Sequence, residues 1–220
     1  IELLGEAIEE SSEEKLLGVL VQHNLKWTKQ CDKVVAEVHY ATSVLKRLQE
    51  HLGKKELRTI ADGIAMSKMR YCLPVFAADS LRFQESDPQS GHLQRIQIAQ
   101  NDMLRTITGS RRRDHVRVSE LLEKAGFLSI NQTTAYVLLV ELWKARMFKV
   151  PILESILSKH RNDERTHRSD STNQVSTIGR DVIALNAMKL WNLASDKFKS
   201  TNLLTVAKIE AKKLAQSLPV

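Results

Sequence analysis

Residues 93–130 read LQRIQIAQNDMLRTITGSRRRDHVRVSELLEKAGFLSI. The first part has the apolar spacing of an amphipathic helix. Its apolar positions are Leu93, Ile96, Met103, Leu104 and Ile107. Gly109-Ser110 is predicted to end this helix, because glycine is common just past a helix end. A short second helix is predicted over Val118–Lys124, closed by Gly126.

Three adjacent arginines, Arg111, Arg112 and Arg113, follow the first helix, and Arg117 comes soon after them. Basic side chains just past a helix end complement its partial negative charge. A guanidinium can also donate to two phosphate oxygens at once. The stretch alone leaves two interpretations open, a contact with a nucleic-acid backbone and a solvated charged loop.

The chain has 220 residues and a formal net charge of +7. Six glutamates precede the first basic residue, Lys15, so the basicity belongs to the body of the chain. A basic balance favours polyanionic partners, with nucleic acid ahead of an anionic membrane. Cys31 and Cys72 lie in different segments, which predicts a reducing intracellular compartment, nuclear or cytoplasmic. No apolar run is long enough to span a membrane, and no membrane partner is expected.

Periodicity along the chain predicts a mainly α fold with a small N-terminal β-hairpin element. Residues 15–21 form an apolar strand candidate, and 160–177 has the composition of a flexible linker. Helices are predicted over residues 28–52, 54–72, 131–148, 181–193 and 202–218, besides the two described above. Leu73-Pro74 is expected to stop the second of these. On the first, the apolar stripe excludes Lys46 and Arg47.

Reactive residues do not form a convergent catalytic set in the sequence. Seven histidines are scattered, and no Cys or His pair has the spacing of a zinc site. There is no glycine-rich phosphate loop and no nucleophile elbow. We therefore expect the chain not to be an enzyme on its own and to hold no cofactor.

Several segments, in order, resemble reverse transcriptases of non-LTR (LINE-type) retrotransposons, in the region after their catalytic palm. Each motif alone is weak, and their order and spacing carry the resemblance. The segments are KLLGV at 15–19 with LKW at 25–27, MRYCLPVF at 69–76, LQRIQ at 93–97 with LRTITG at 104–109, LL at 121–122 with FLSI at 127–130, RTHRS at 165–169 and LWN at 190–192. The chain departs from the family pattern at Gln22 and Gln30, and it lacks the tryptophan often found near Phe76.

The resemblance implies an order of parts. Residues 1–27 would be the end of the palm and a primer-grip-like β segment. Residues 28–150 would be a helical thumb-like domain, and 151–220 a C-terminal helical extension. The chain begins at Ile1 rather than Met, and we expect it to be a fragment. The catalytic carboxylates and their divalent metal would lie in the missing palm.

The function implied by the resemblance is to hold the template–primer duplex of an RNA-directed DNA polymerase. The partners would be RNA or an RNA–DNA hybrid and the remainder of the polymerase chain. The predicted nucleic-acid-binding residues are Arg111, Arg112, Arg113, Arg117, Lys46, Arg47, Arg95 and Arg105. The alternative is a helical protein-interaction module from a degenerate element. In that case residues 28–52 would form a dimerising seam, and the chain would self-associate.

Overall fold

The structure is a computed structural model that describes residues 2–3, 6–7, 11–150 and 180–220. The fold is mainly helical with a small N-terminal β-hairpin, and this prediction is confirmed. The strands are β1 (Glu2–Leu3), β2 (Glu6–Ala7), β3 (Glu13–Leu16) and β4 (Val19–Gln22). The helices are α1 (Thr28–Leu48), α2 (Lys54–Ala61), α3 (Ser67–Arg70), α4 (Leu73–Ala77), α5 (Gly91–Thr108), α6 (Val118–Ala125), α7 (Ile130–Met147), α8 (Arg180–Leu193), α9 (Asp196–Ser200) and α10 (Leu204–Gln216). The linker predicted over 160–177 lies outside the described residues.

The chain folds as two compact units, each built from two separate segments. Unit 1 comprises Ile1–Cys72 and Ser90–Ala125, and unit 2 comprises Leu73–Gln89 and Gly126–Val220. These bounds differ from the predicted parts, whose limits at 27 and 150 came from the resemblance and stay predictions.

The β3–β4 hairpin belongs to unit 1 and reverses direction within the run 15–21, which was predicted to be one strand. That prediction is wrong because Leu17 and Gly18 form the turn, both with positive φ (48° and 86°). Two-residue hairpin turns of this handedness match the twist of the strands. The Tyr71 hydroxyl donates to the Leu17 carbonyl at 2.5 Å, and Lys33 Nζ donates to the Gly18 carbonyl at 2.8 Å. These contacts hold the turn on the helices.

Helices α1 and α5 form the centre of unit 1 and run parallel. Thr28 lies beside His92, with 3.5 Å between Oγ1 and Nε2, and Asp32 pairs with Arg95 at 2.5 Å. The apolar stripe of α1 is buried from Val34 through Val38 and Ala41 to Leu45. Burying a side chain such as Leu45 stabilises the fold by about 1.5–3 kcal/mol. The central part of the stripe is therefore not available as a dimer seam.

The predicted helix over 54–72 is present as α2 and α3, joined by a π-helical turn over Asp62–Met66. The helical course ends before Pro74, where Cys72 adopts a positive φ of 52°. Pro74 does not lead into a loop, however, since it lies in the first turn of α4. Proline is tolerated there because its missing N–H would have no partner within the helix.

Unit 2 is built around α7, against which α4, α8 and α10 pack. Trp143 on α7 is buried, and its Nε1 donates to the Thr201 carbonyl at 2.9 Å. Asn186 on α8 is also buried, and its Nδ2 donates to the Ala78 carbonyl at 2.8 Å. Both side chains satisfy carbonyls far away along the chain, which fixes how the helices of this unit pack.

The start of α7 binds the last residues of the chain in the same way. Asn131 accepts the Arg82 N–H at 2.9 Å and donates to the Pro219 carbonyl at 3.0 Å. Gln132 Nε2 donates to the Leu218 carbonyl at 3.0 Å. The segment after α10 is thus an integral part of unit 2.

Candidate nucleic-acid interface

An open depression of about 550 Å³ lies in unit 1 where α1 and α5 end. Because the two helices run parallel, Lys46 from the last turn of α1 and Arg105 from the last turn of α5 come together there. Four basic side chains and one carboxylate line it, together with Gln49, Thr106, Gly109 and Ser110. The charged residues are Lys46, Arg105, Arg111, Arg112 and Asp102. The positive charges exceed what the single carboxylate can neutralise.

The carboxylate, Asp102, holds two of these arginines. Arg112 donates to it twice, from Nη2 to Oδ2 at 2.6 Å and from Nε to Oδ1 at 3.3 Å. Arg105 donates from Nη1 to Oδ1 at 3.3 Å. The hydrogen bond with Asp102, and after it the carboxylate's charge, raise the pKa of Arg112 above its ordinary value. Both effects favour the charged form of a guanidinium that is already cationic at ordinary pH.

A second depression, of about 440 Å³, lies where α2 begins and α6 ends. Four basic side chains line it, and no acidic residue does. They are Lys54, Lys55, Arg58 and Lys124. Lys124 also donates to Glu120 at 2.7 Å, an exposed pair one helical turn apart. Pairs of this kind stabilise a helix by only a few tenths of a kcal/mol, so Lys124 can exchange this partner for a phosphate.

The two depressions share one residue, Ser110, and form one surface of unit 1. Its eight basic residues, Lys46, Lys54, Lys55, Arg58, Arg105, Arg111, Arg112 and Lys124, are called the basic face from here on. Ser110 follows Gly109, which ends α5 in the left-handed conformation with φ of 75°. The Ser110 hydroxyl accepts a hydrogen bond from Thr108 at 3.0 Å.

The arginine loop keeps its shape through Asp114. Its carboxylate accepts the Arg111 N–H at 2.6 Å, which closes a single helical turn over Arg112–Asp114. His115 follows with a positive φ of 49°. Asp114 therefore fixes the backbone of the loop, while the arginine side chains remain exposed.

Four of the eight residues predicted from the sequence line the first depression. They are Lys46, Arg105, Arg111 and Arg112. The other four line neither depression. Arg47, Arg113 and Arg117 are exposed. Each lies within five residues, in sequence, of a residue that lines the first depression. Arg95 pairs with Asp32 and precedes Arg105 by ten residues, roughly 15 Å along the α5 axis.

The sequence-based prediction missed Lys54, Lys55, Arg58 and Lys124. Lys54 and Lys55 had a visible signal, a basic helix start directly after Gly53, and Arg58 follows one turn later, but such residues are ordinary on solvated helices. Lys124 comes from a distant segment, and only the packing of α6 on α5 brings it to this surface.

Comparison with known proteins gives no family for this chain. No protein-family model matches it, and neither a curated protein nor a solved structure does. The resemblance to reverse transcriptases therefore has no support from these comparisons, and the basic face is the feature of the molecule that bears on function.

The described residues also bear on metal binding and on membrane insertion. Within the described ranges, no three His, Cys, Asp or Glu side chains are grouped so that they could hold a metal ion. None of the described helices combines the length and the apolar composition that crossing a bilayer requires.

Proposed function

We propose that this chain binds nucleic acid through the phosphate backbone, with the basic face as the contact surface. The observation that carries the proposal is the pair of adjacent depressions that share Ser110. Together they are lined by eight basic residues and one acidic residue. Exposed like charges repel one another and contribute little to stability. Binding of a polyanionic partner would explain why so many basic residues lie together.

The residue types favour backbone contact over sequence readout. Lysine and arginine neutralise phosphates and release the counterions condensed on a duplex, which makes affinity steeply dependent on salt. The hydroxyl of Ser110 can donate to a phosphate oxygen at the junction of the two depressions. A surface of this kind tracks a helical backbone and tolerates many sequences.

The resemblance extends this proposal to a biological role. The chain would be part of a non-LTR retrotransposon reverse transcriptase and would hold the template–primer duplex, an RNA–DNA hybrid. Chemistry would require the metal-binding carboxylates of a palm, which this proposal places elsewhere in the polymerase. The chain itself would position nucleic acid without catalysing a reaction.

The test is binding of the whole chain to a labelled RNA–DNA hybrid by fluorescence anisotropy across a salt series. We expect binding whose logarithm falls linearly with the logarithm of salt concentration, with a slope of about 0.7 to 0.9 per phosphate contact. The double change Arg111→Ala/Arg112→Ala removes two contacts and should lower that slope by roughly 1.4 to 1.8.

The matched control is Arg113→Ala/Arg117→Ala, which removes the same charge from the same loop outside the depressions. We expect it to keep a slope close to that of the unchanged chain. Equal losses in both variants would refute the assignment to the basic face. A folded chain that does not bind at low salt, and that self-associates in sedimentation experiments, would favour the protein-interaction module instead.

A further inference from the structure

Arg112 lines the first depression. Its guanidinium is exposed to solvent and is nevertheless held in place by hydrogen bonds. Its side chain is 75% exposed, whereas that of Asp102 is 19% exposed. The contacts to Asp102 use one edge of the guanidinium, Nε and Nη2. The opposite edge, formed by Nη1 and the second N–H of Nη2, has no hydrogen-bond partner among the described residues.

We propose that Asp102 is a positioning residue that presents the outer edge of Arg112 to two oxygens of one backbone phosphate. This inference rests on the proposed function. A planar guanidinium has two edges that can each form a pair of parallel hydrogen bonds. With one edge on Asp102, the other is oriented before the ligand arrives, so less side-chain entropy is lost on binding.

Asp102 also holds the guanidinium of a second arginine. Arg105 donates to the same carboxylate, and its side chain is only 23% exposed. One carboxylate thereby keeps two guanidinium groups side by side at the end of α5. Without it, their mutual repulsion would drive the exposed Arg112 away from the depression.

The sign of one substitution separates this proposal from simple charge repulsion. If Asp102 only opposed the phosphates, Asp102→Asn would strengthen binding, because it removes a negative charge from the basic face. If Asp102 positions Arg112, the same change weakens binding and lowers the salt slope by about 0.7 to 0.9, the share of one contact.

The experiment measures hybrid binding across a salt series for the unchanged chain, Asp102→Asn, Arg112→Ala and the double variant. We expect the two single changes to lower the slope equally and the double variant to lose no more than either, since both remove the same contact. Asp62→Asn is the matched control, because it takes one carboxylate from another exposed Arg–Asp pair of unit 1, with Arg70 at 2.7 Å. It should keep the full slope.

Arg112→Lys provides a second measurement on the exposed loop, where folding is not at risk. Lysine keeps the charge but cannot use one edge for Asp102 and the other for a phosphate, so we expect weaker binding than in the unchanged chain. Binding as tight as that of the unchanged chain in Arg112→Lys, or tighter in a folded Asp102→Asn variant, would overturn the inference. Failure of the unchanged chain to bind would instead overturn the proposed function.

Discussion

The buried amides of unit 2 and the basic face of unit 1 place polar groups in opposite environments. In unit 2, amides and an indole are buried and donate to backbone carbonyls from distant segments, as Gln132, Trp143 and Asn186 do. In unit 1, the basic residues of both depressions lie at the surface, and one carboxylate serves two of them. The buried groups of unit 2 hold its segments together, whereas the basic residues of unit 1 leave charge exposed to solvent.

The two arrangements have different energetic roles. A buried polar group that loses its partner costs about 1–3 kcal/mol, so the amides of unit 2 contribute to stability. An exposed charge contributes between zero and about 1 kcal/mol. The basic face therefore adds little to the fold of unit 1, and its residues can be changed with effects mainly on binding.

The largest expected effect comes from removing three of the four basic side chains that line the second depression. Replacing Lys54, Lys55 and Arg58 by alanine should lower the salt slope for hybrid binding by roughly 2 to 3, if each makes one phosphate contact. Thermal unfolding should change little, because lysine and arginine are only slightly poorer helix formers than alanine. A large loss of stability without a change in the salt slope would contradict the claim that these residues act in binding rather than in folding.

A smaller effect, on stability, is expected in unit 2. Gln132→Ala should lower the free energy of unfolding by about 1–3 kcal/mol, since it leaves the buried Leu218 carbonyl and the Ser129 N–H without their amide partner. Gln216→Ala is the control, because that side chain is exposed and should matter by less than about 0.5 kcal/mol. Urea denaturation measures both. Hybrid binding by the folded Gln132→Ala variant should be unchanged, and a loss of salt slope would argue against a purely structural role.

The smallest effect concerns acid stability. Asp87 accepts hydrogen bonds from the backbone N–H groups of Gln84 and Phe83, which hold its pKa below the ordinary value of 3.8. The carboxylate therefore stabilises unit 2 at pH values above 3.8, and this contribution is lost as the pH falls through the lower, folded pKa. We expect Asp87→Asn to be less stable than the unchanged chain at about pH 6, and the difference to shrink at about pH 3. Urea titrations at the two pH values measure it, and a constant difference would refute this explanation.

Most of the helices could be predicted from the sequence because local signals determine them. Apolar spacing and a terminal glycine give α5 and α6, whose ends at Gly109 and Gly126 have positive φ. The α9 helix was missed even though Ser195 caps it with a hydrogen bond from the Phe198 N–H. One turn of helix is too short for periodicity to reveal.

The grouping of charges on one surface could be predicted only in part. Arginines after a helix end are visible in the sequence, and Arg111 and Arg112 do line a depression. Whether Arg95 or Lys124 joins them depends on the parallel packing of α1 on α5 and on the position of α6, and these contacts between distant segments leave no local pattern. The i,i+3 spacing of Asp102 and Arg105 is visible in the sequence, but nothing there showed that Asp102 would also hold Arg112.

The left-handed turn at Gly109 has a consequence for mutational tolerance. A Cβ at this position would meet no atom within 4 Å, so a side chain there is disfavoured by the backbone angle alone and not by a clash. Asparagine and aspartate tolerate this angle better than other residues with a side chain. In a saturation library selected for hybrid binding, position 109 should thus retain Gly and Asn, whereas Asp would add a negative charge to the first depression. Gly91, equally open and without a positive φ, should accept most residues.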